Sequence, residues 1–67
     1  MSTITAGKAY EVRITGRGKR FTSALAKIKT FADREFSGGV WTVTPADCET
    51  YAMTVLAEQY DVEVEEA

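Results

Sequence analysis

The chain contains no histidine, and Cys48 is its only cysteine among 67 residues. Without histidine, the side chain that most often exchanges protons near neutral pH is missing. A single cysteine excludes an internal disulfide bond. No apolar run approaches the roughly 18 residues that a membrane-spanning helix needs, so we expect no membrane partner. Residues 1–10 lack the basic and apolar regions of a signal peptide, and we therefore expect a cytoplasmic protein.

Enzyme chemistry has little support in the residues that are present. Cys48 lies near a predicted helix start, a position that can activate a thiol as a nucleophile. However, Asp47 and Glu49 flank it, and it shares a predicted apolar face with Ala52, so we interpret Cys48 as a small buried side chain. The carboxylates do not have the ligand spacing of a calcium-binding loop. The sequence therefore predicts a protein without catalytic activity, cofactor or metal.

Length and composition favour one small domain that spans residues 1–67. Hydrophobic residues make up 45% of the chain and aromatic residues 10%, which is typical of a folded globule rather than a disordered segment. A domain of this size buries only about 60% of the surface that its unfolded chain exposes. Its core therefore leaves little room for a ligand cavity. Residues 1–6 and 66–67 are candidate loose ends.

The longest periodic stretch runs from Thr22 to Phe36. Its apolar residues recur at spacings of three and four, which predicts one buried face of an α-helix over residues 23–36. These residues are Ala24, Leu25, Ile28, Phe31, Ala32 and Phe36. We expect Thr22 or Ser23 to cap this helix, and the glycines after Ser37 to end it.

Three other segments have the pattern of strands. Tyr10, Val12 and Ile14 alternate with polar residues, which is the period of a half-buried strand. Residues 40–44 are rich in β-branched side chains, and residues 61–65 alternate valine with acids. We expect Trp41 and Val43 in the second of these strands, and Val62 and Val64 in the third, to lie on the core side.

A second helix is predicted to start at Thr44, because a cap threonine, Pro45 at the first helical position and Asp47 in the first turn all favour a helix start. Its predicted apolar face carries Cys48, Tyr51, Ala52, Val55, Leu56 and Gln59. Each element thus has one apolar face. We predict an α+β fold: a two-layer sandwich of order β-α-β-α-β, in which a small, mostly antiparallel sheet of three to four strands carries two helices on one face.

Charge is divided unevenly along the chain. The eight basic residues all lie between Lys8 and Arg34, and only three acids share residues 1–36 with them, so that part carries +5. Residues 37–67 contain seven acids and no base and carry −7. This division indicates a charged partner or association between copies of the chain, with two solvated faces of one small fold as the plain structural alternative.

The basic candidate surface centres on the turn Gly16–Arg20, in which two glycines alternate with cations. It lacks the spacing of a phosphate-binding loop, but its side chains and exposed N–H groups can hold a phosphate or a carboxylate. The candidate residues are Arg13, Arg17, Lys19, Arg20 and Lys27. Nucleic acid is therefore an alternative partner. The predicted outer sheet face carries no aromatic residues on which bases could stack, which argues against an RRM-like reader.

The acidic candidate surface lies on the second predicted helix and the last strand. Its residues are Asp47, Glu49, Glu58, Asp61, Glu63 and Glu65. Such a surface complements the lysine- and arginine-rich groove of a nucleic-acid-handling protein. It can also complement the basic turn of a second copy, so a homo-oligomer joined basic face to acidic face is a further alternative. Acids that only keep a small protein soluble give the same pattern.

In its size, its charge division and its lack of catalytic residues, the chain resembles small phage-encoded inhibitors of the anti-CRISPR type. The segments that carry this resemblance are YEVRIT at residues 10–15, the helix predicted after Thr22, and the acidic segment from Thr44 to Glu66. The resemblance implies a non-enzymatic protein in the host cytoplasm that blocks a host nuclease, such as a CRISPR effector, by occupying a charged surface. It assigns no role to any single residue.

Overall fold

The computed structural model describes residues 4–67. Its elements are β1 (Tyr10–Ile14), α1 (Lys19–Ile28), β2 (Arg34–Ser37), β3 (Val40–Val43), α2 (Thr50–Gln59) and β4 (Val62–Glu66). A 3₁₀ turn, Asp47–Glu49, precedes α2. No helix within residues 4–67 is both long and apolar enough to cross a bilayer.

The four strands form one antiparallel sheet in the order β2-β3-β1-β4. The predicted α+β class is confirmed, because this single sheet packs with two helices. The element order is β-α-β-β-α-β, which is that of the ferredoxin-like, or split βαβ, motif. It differs from the predicted β-α-β-α-β order by one strand, β2.

Both helices pack on one face of the sheet and build the core there. The core cluster consists of Tyr10, Val12, Ile28, Phe31, Val43, Met53 and Leu56. Its strand residues come from alternate positions of β1 and from β3, so they share one face. The sheet therefore has an inner face under the helices and an outer face that no described element covers.

Helix α1 starts earlier than predicted, at Lys19. Gly18 precedes it with φ of 62°, a positive value that glycine adopts without a side-chain penalty. The chain therefore enters the helix directly from the glycine turn. Thr22 is not the cap that the sequence predicted, since its hydroxyl donates to the Gly18 carbonyl oxygen at 3.2 Å from inside the first turn. Ser23 also lies inside the helix.

Helix α1 also ends earlier than predicted, at Ile28 rather than Phe36. The Thr30 hydroxyl donates to the Lys27 carbonyl oxygen at 2.6 Å, and such local bonds compete with continuation of a helix. The Phe31 N–H then bonds the Ile28 carbonyl oxygen at 3.1 Å in a tighter turn. Phe31 belongs to the core, with 1% of its surface exposed, but it reaches the core from outside the helix.

Residues 34–37 form strand β2 instead of the last helical turn. Gly38 and Gly39 follow with φ of 59° and 82°, and two such residues make the type I′ turn that joins hairpin strands. The hairpin places Phe36 opposite Trp41. Ladder hydrogen bonds to β3 therefore replace the predicted helical ones.

Helix α2 starts at Thr50, well after the predicted cap at Thr44. A carboxylate supplies the contact that the threonine was predicted to make. The two Glu49 oxygens accept from the Ala46 N–H at 2.9 Å and from the Ala32 N–H at 3.2 Å. Glu49 thus ties the start of α2 to the loop after α1.

The buried face of α2 is also rotated from the predicted one. A 3₁₀ turn advances by about 120° per residue and an α-helix by about 100°, so the turn before Thr50 changes the phase of the helix. Met53 and Leu56 are buried, whereas Tyr51 is 79% exposed. Cys48, predicted to be buried, is exposed.

Both ends of the described chain contact the fold. Residues 1–3 of the predicted loose N-terminus lie outside the described residues. The Thr5 N–H donates to the Tyr10 hydroxyl oxygen at 2.8 Å. At the other end, the Ala67 N–H donates to the Ala9 carbonyl oxygen at 3.1 Å, which extends the pairing of β4 with the chain before β1.

Candidate functional site on the outer face of the sheet

The outer face of the sheet is its surface opposite the helices. Side chains alternate between the two faces of a strand, and Tyr10, Val12 and Val43 are buried on the helix side. The positions between them therefore point away from the helices. The residues of the outer face are Glu11, Arg13, Glu35, Ser37, Val40, Thr42, Glu63 and Glu65.

The strand register places three outer-face carboxylates in one row across the sheet. Glu35 lies opposite Thr42, which in turn lies opposite Glu11. Glu11 lies opposite Glu65 on its other side. Neighbouring strands are about 4.8 Å apart, and like charges directly opposite each other destabilise a sheet. The fold thus keeps an unfavourable pair, Glu11 and Glu65, on an open surface.

Arg13 is the one base on this face among residues 4–67. It lies opposite Glu63, and its Nη1 atom is 3.7 Å from Glu63 Oε1. The two side chains are 60% and 64% exposed, so water screens the pair strongly. With four carboxylates and one guanidinium, the outer face carries a net charge of −3.

The structure divides the predicted acidic surface among separate places. Glu63 and Glu65 lie on the outer face, but Asp47 and Glu49 belong to the 3₁₀ turn and Glu58 to the exposed side of α2. Asp61 lies just before β4, where it contacts Arg20. The six predicted acids therefore do not form one continuous surface.

Two outer-face acids were not among the predicted candidates. Glu11 alternates with the apolar residues Tyr10 and Val12, but along the sequence it lies in the basic part, residues 1–36. Glu35 was assigned to a helix that does not extend so far. Glu11 could have been found from the strand alternation of Tyr10 and Val12, because β1 is central in the sheet and pairs with both β3 and β4.

The predicted basic candidates are divided as well. Arg13 sits among the acids of the outer face, and Arg20 is bound to Asp61 through Nη1 and Oδ2 at 3.2 Å. Arg17 and Lys19 remain exposed at the start of α1, and Lys27 lies two turns further along. None of these last three has an ion-pair partner among the residues that the structure describes.

Asp61 joins the start of α1 to the start of β4. Its carbonyl oxygen accepts from the Thr15 N–H at 2.8 Å and from the Gly16 N–H at 3.2 Å, while its carboxylate holds Arg20. Gly16 packs against both elements. Asp61 and Arg20 therefore pair at this junction, but the Arg20 side chain is 79% exposed, so water screens the ion pair.

Lys8 and Glu66 form an ion pair at the end of β4. The hydrogen bond to Glu66, and then the charge of its carboxylate, raise the pKa of the Lys8 amine above its ordinary value of 10.5. Both side chains are 50% exposed, so the pair contributes little to stability. Glu66 lies opposite the inner-face residue Tyr10, so it adds no charge to the outer face.

Within the described part of the chain, no group of three or more histidine, cysteine, aspartate or glutamate side chains has the proximity of a metal site. The carboxylates of the outer face are spread along strands rather than gathered around a point. Comparison of the chain with protein-family models, with curated proteins and with solved structures finds no match.

Proposed function

We propose that this protein is a non-enzymatic binding protein that blocks a host nucleic-acid-handling complex, such as a CRISPR effector, by laying its outer sheet face on a basic surface of that complex. One observation carries the proposal: an open sheet face with a net charge of −3, on which the register aligns the carboxylates of Glu11, Glu35 and Glu65. A row of carboxylates attracts the lysines and arginines that otherwise bind nucleic-acid phosphates.

The unfavourable pairing of Glu11 with Glu65 supports a role in binding. Like charges held opposite each other cost up to about 1 kcal/mol in a sheet, and no helix or loop of the described chain relieves that cost. A lysine or arginine of a partner placed between the two carboxylates removes the repulsion on binding. The charge pattern is therefore unfavourable in the free protein and favourable in a complex.

The rigidity of the sheet also supports this proposal. Glu11, Glu63 and Glu65 project from β1 and β4, whose opposite faces pack in or against the core, so the backbone that carries them is positioned before binding. A preorganised surface loses less conformational freedom on association than a flexible loop does. The outer face can therefore recognise a fixed pattern of cations.

The test is a competition assay in which purified CRISPR effector complexes bind labelled target DNA in the presence of this protein. The informative variant carries Glu35→Lys and Glu65→Lys on the outer face. Its matched control carries Asp47→Lys and Glu58→Lys, which change the net charge equally at exposed acids off that face. We expect the outer-face variant alone to lose inhibition. Equal loss in both variants would show that only net charge matters, and retention in both would refute the proposal.

A second candidate function, nucleic-acid binding, is favoured by one feature of α1. Lys19 and Lys27 lie eight positions apart and therefore near the same side of the helix, with Arg17 beside its start. If these three residues each neutralise one phosphate, log K should fall against log salt with a slope of roughly −3. Absence of an anisotropy change with labelled DNA and RNA at low salt would remove this alternative.

A further inference from the structure

Strand β2 is an edge of the described sheet, and all four of its residues are exposed. In an antiparallel pair, hydrogen-bonded and non-hydrogen-bonded positions alternate along the strand. The Thr44 N–H donates to the Asp33 carbonyl oxygen at 3.0 Å, so Asp33 points its backbone groups at the β3 side. The next residue, Arg34, and Phe36 two positions later therefore point their N–H and C=O groups away from β3, toward solvent.

The inner side of this edge carries uncovered aromatic surface. Phe36 is 59% exposed, and its ring centroid lies 4.9 Å from that of Trp41 at an interplanar angle of 49°. Trp41 in turn packs against the core. The Arg34 guanidinium donates to the Phe31 carbonyl oxygen at 2.7 Å, so this side chain folds back toward the protein rather than across the edge.

Helix α1 carries a further exposed aromatic residue, Phe21. Ala24 and Ile28 are its buried positions, and Arg20 lies on the flank that contacts Asp61 beside β4. By helical rotation Phe21 falls on the opposite flank of α1, away from Arg20. Phe21 is 44% exposed.

The outer side of the same edge is acidic. Glu35 points to the outer face between Arg34 and Phe36, in the row that contains Glu11 and Glu65. A strand added beside β2 therefore meets aromatic side chains on one of its faces and carboxylates on the other. Because side chains alternate along a strand, the complementary segment alternates apolar residues with lysine or arginine.

We propose that the β2 edge binds an extended segment of a partner protein in which basic residues alternate with apolar ones, as a fifth strand of the sheet. Main-chain bonds to Arg34 and Phe36 supply affinity in this mode, and side chains on the two faces supply specificity. This proposal rests on the proposed function in one respect: the basic residues of the partner segment are inferred from the acidic outer face.

Charge and packing favour this occupant over the alternatives. A second copy of β2 would bring its own Glu35 and Ser37 to the outer face, placing acid near acid instead of base near acid. The other sheet edge, β4, exposes backbone groups too, but its inner residues Val62 and Val64 already pack against the core. Of the two edges of the described sheet, only β2 combines an open backbone with an exposed aromatic side chain, Phe36.

The experiment titrates the wild-type protein with short synthetic peptides and follows the fluorescence of Trp41, the single tryptophan, which lies beside Phe36. The probe is an acetylated, amidated peptide of alternating lysine and valine. The comparison peptides replace every lysine with glutamate or with threonine, or carry N-methyl groups on alternate backbone nitrogens. We expect a saturable emission change with the lysine peptide and much weaker binding of the other three. Equal binding of the N-methylated peptide overturns strand addition.

Variants of the protein test whether the peptide binds at the β2 edge. Phe36→Ser should lower the affinity for the lysine peptide about tenfold, as loss of an aromatic anchor does. Tyr51→Ser, at an exposed aromatic residue on α2, should leave this affinity unchanged. Far-UV circular dichroism checks that both variants fold. If Phe36→Ser binds like the wild type, the β2 edge is not the site.

Three further outcomes identify which part of the reasoning fails. If Glu35→Lys weakens binding while Phe36→Ser and N-methylation do not, strand addition is overturned and the acidic face of the proposed function stands. If the threonine peptide binds as tightly as the lysine peptide, the basic character of the partner is overturned, and the proposed function loses this support. Sedimentation of the protein without peptide tests for a dimer. If the wild type is a dimer and Phe36→Ser is a monomer, the β2 edge binds a second copy and the proposal is overturned.

Discussion

Replacing Gly16 by alanine tests the tightest junction of the fold. A Cβ atom at this position would lie 2.9 Å from the Cβ atoms of both Arg20 and Asp61, and 3.2 Å from Asp61 Oδ2. Both Cβ neighbours are fixed to backbone, so the end of β1 must move away from the starts of α1 and β4. That movement stretches the bonds of the Thr15 and Gly16 N–H groups to the Asp61 carbonyl, now 2.8 and 3.2 Å.

Overpacking of this kind costs about 1–3 kcal/mol, and one weakened hydrogen bond adds about 1 kcal/mol. We therefore expect Gly16→Ala to lower the free energy of unfolding by about 2–4 kcal/mol, out of the roughly 3–10 kcal/mol typical of a domain of this length. Urea denaturation followed by circular dichroism measures this difference.

The control is Gly18→Ala, where no atom lies within 4 Å of the added Cβ and only the φ of 62° is unfavourable. Its backbone torsions, φ of 62° and ψ of −126°, lie outside the left-handed helical region and favour glycine, so its expected cost is about 1–3 kcal/mol. A cost for Gly16→Ala below about 0.5 kcal/mol, the level of an ordinary surface substitution, would refute the close packing of α1 and β4 around this glycine.

Three further results follow from the packing and the ion pairs. Ile28→Ala should lower the free energy of unfolding by about 2–5 kcal/mol in urea denaturation, because Ile28 is fully buried. Leu25→Ala should lower it less, because Leu25 is only partly buried. Equal losses would mean that α1 is rotated about its axis. The pKa of the Lys8 amine should lie above 10.5 in heteronuclear NMR and should fall in Glu66→Gln. Since its pKa is raised in the folded state, any stabilisation by this pair is complete below the ordinary value and is lost as the pH rises through the raised one. An unchanged titration in Glu66→Gln would show that the pair does not form in solution.

The sequence predicted the layers of this fold well, because each element carries its apolar residues on one side. The alternation of Tyr10 and Val12, and of the valines near the C-terminus, placed two strands correctly. The spacing of Ala24 and Ile28 identified α1. These signals depend only on local periodicity, which the packed structure preserves.

The region after α1 was predicted wrongly, because Phe31 and Phe36 continue the helical spacing by coincidence. Their partners are long-range: Phe31 enters the core beside the helices, and Phe36 pairs with Trp41 across the hairpin. The two glycines between Ser37 and Val40 are a recognised hairpin signal when strands flank them. Because the helical spacing continues as far as Phe36, the same two glycines also fit a helix stop.

The candidate site was only partly predictable for the same reason. Glu63 and Glu65 are visible as acids on an alternating strand. Their neighbours Glu11 and Glu35 come from distant parts of the chain, and only the strand order brings them into one row. Counting charge along the sequence therefore separated acids that the sheet places side by side.

Carboxyl footprinting of the protein in complex with an effector that it inhibits is the most direct test of the proposed binding face. A carbodiimide couples an amine to accessible carboxylates, and mass spectrometry reports the extent of labelling at each acid. We expect the complex to protect Glu11, Glu35 and Glu65 while Asp47 and Glu58 remain labelled as in the free protein. Protection of Asp47 and Glu58 with unchanged labelling of the outer face would contradict the account.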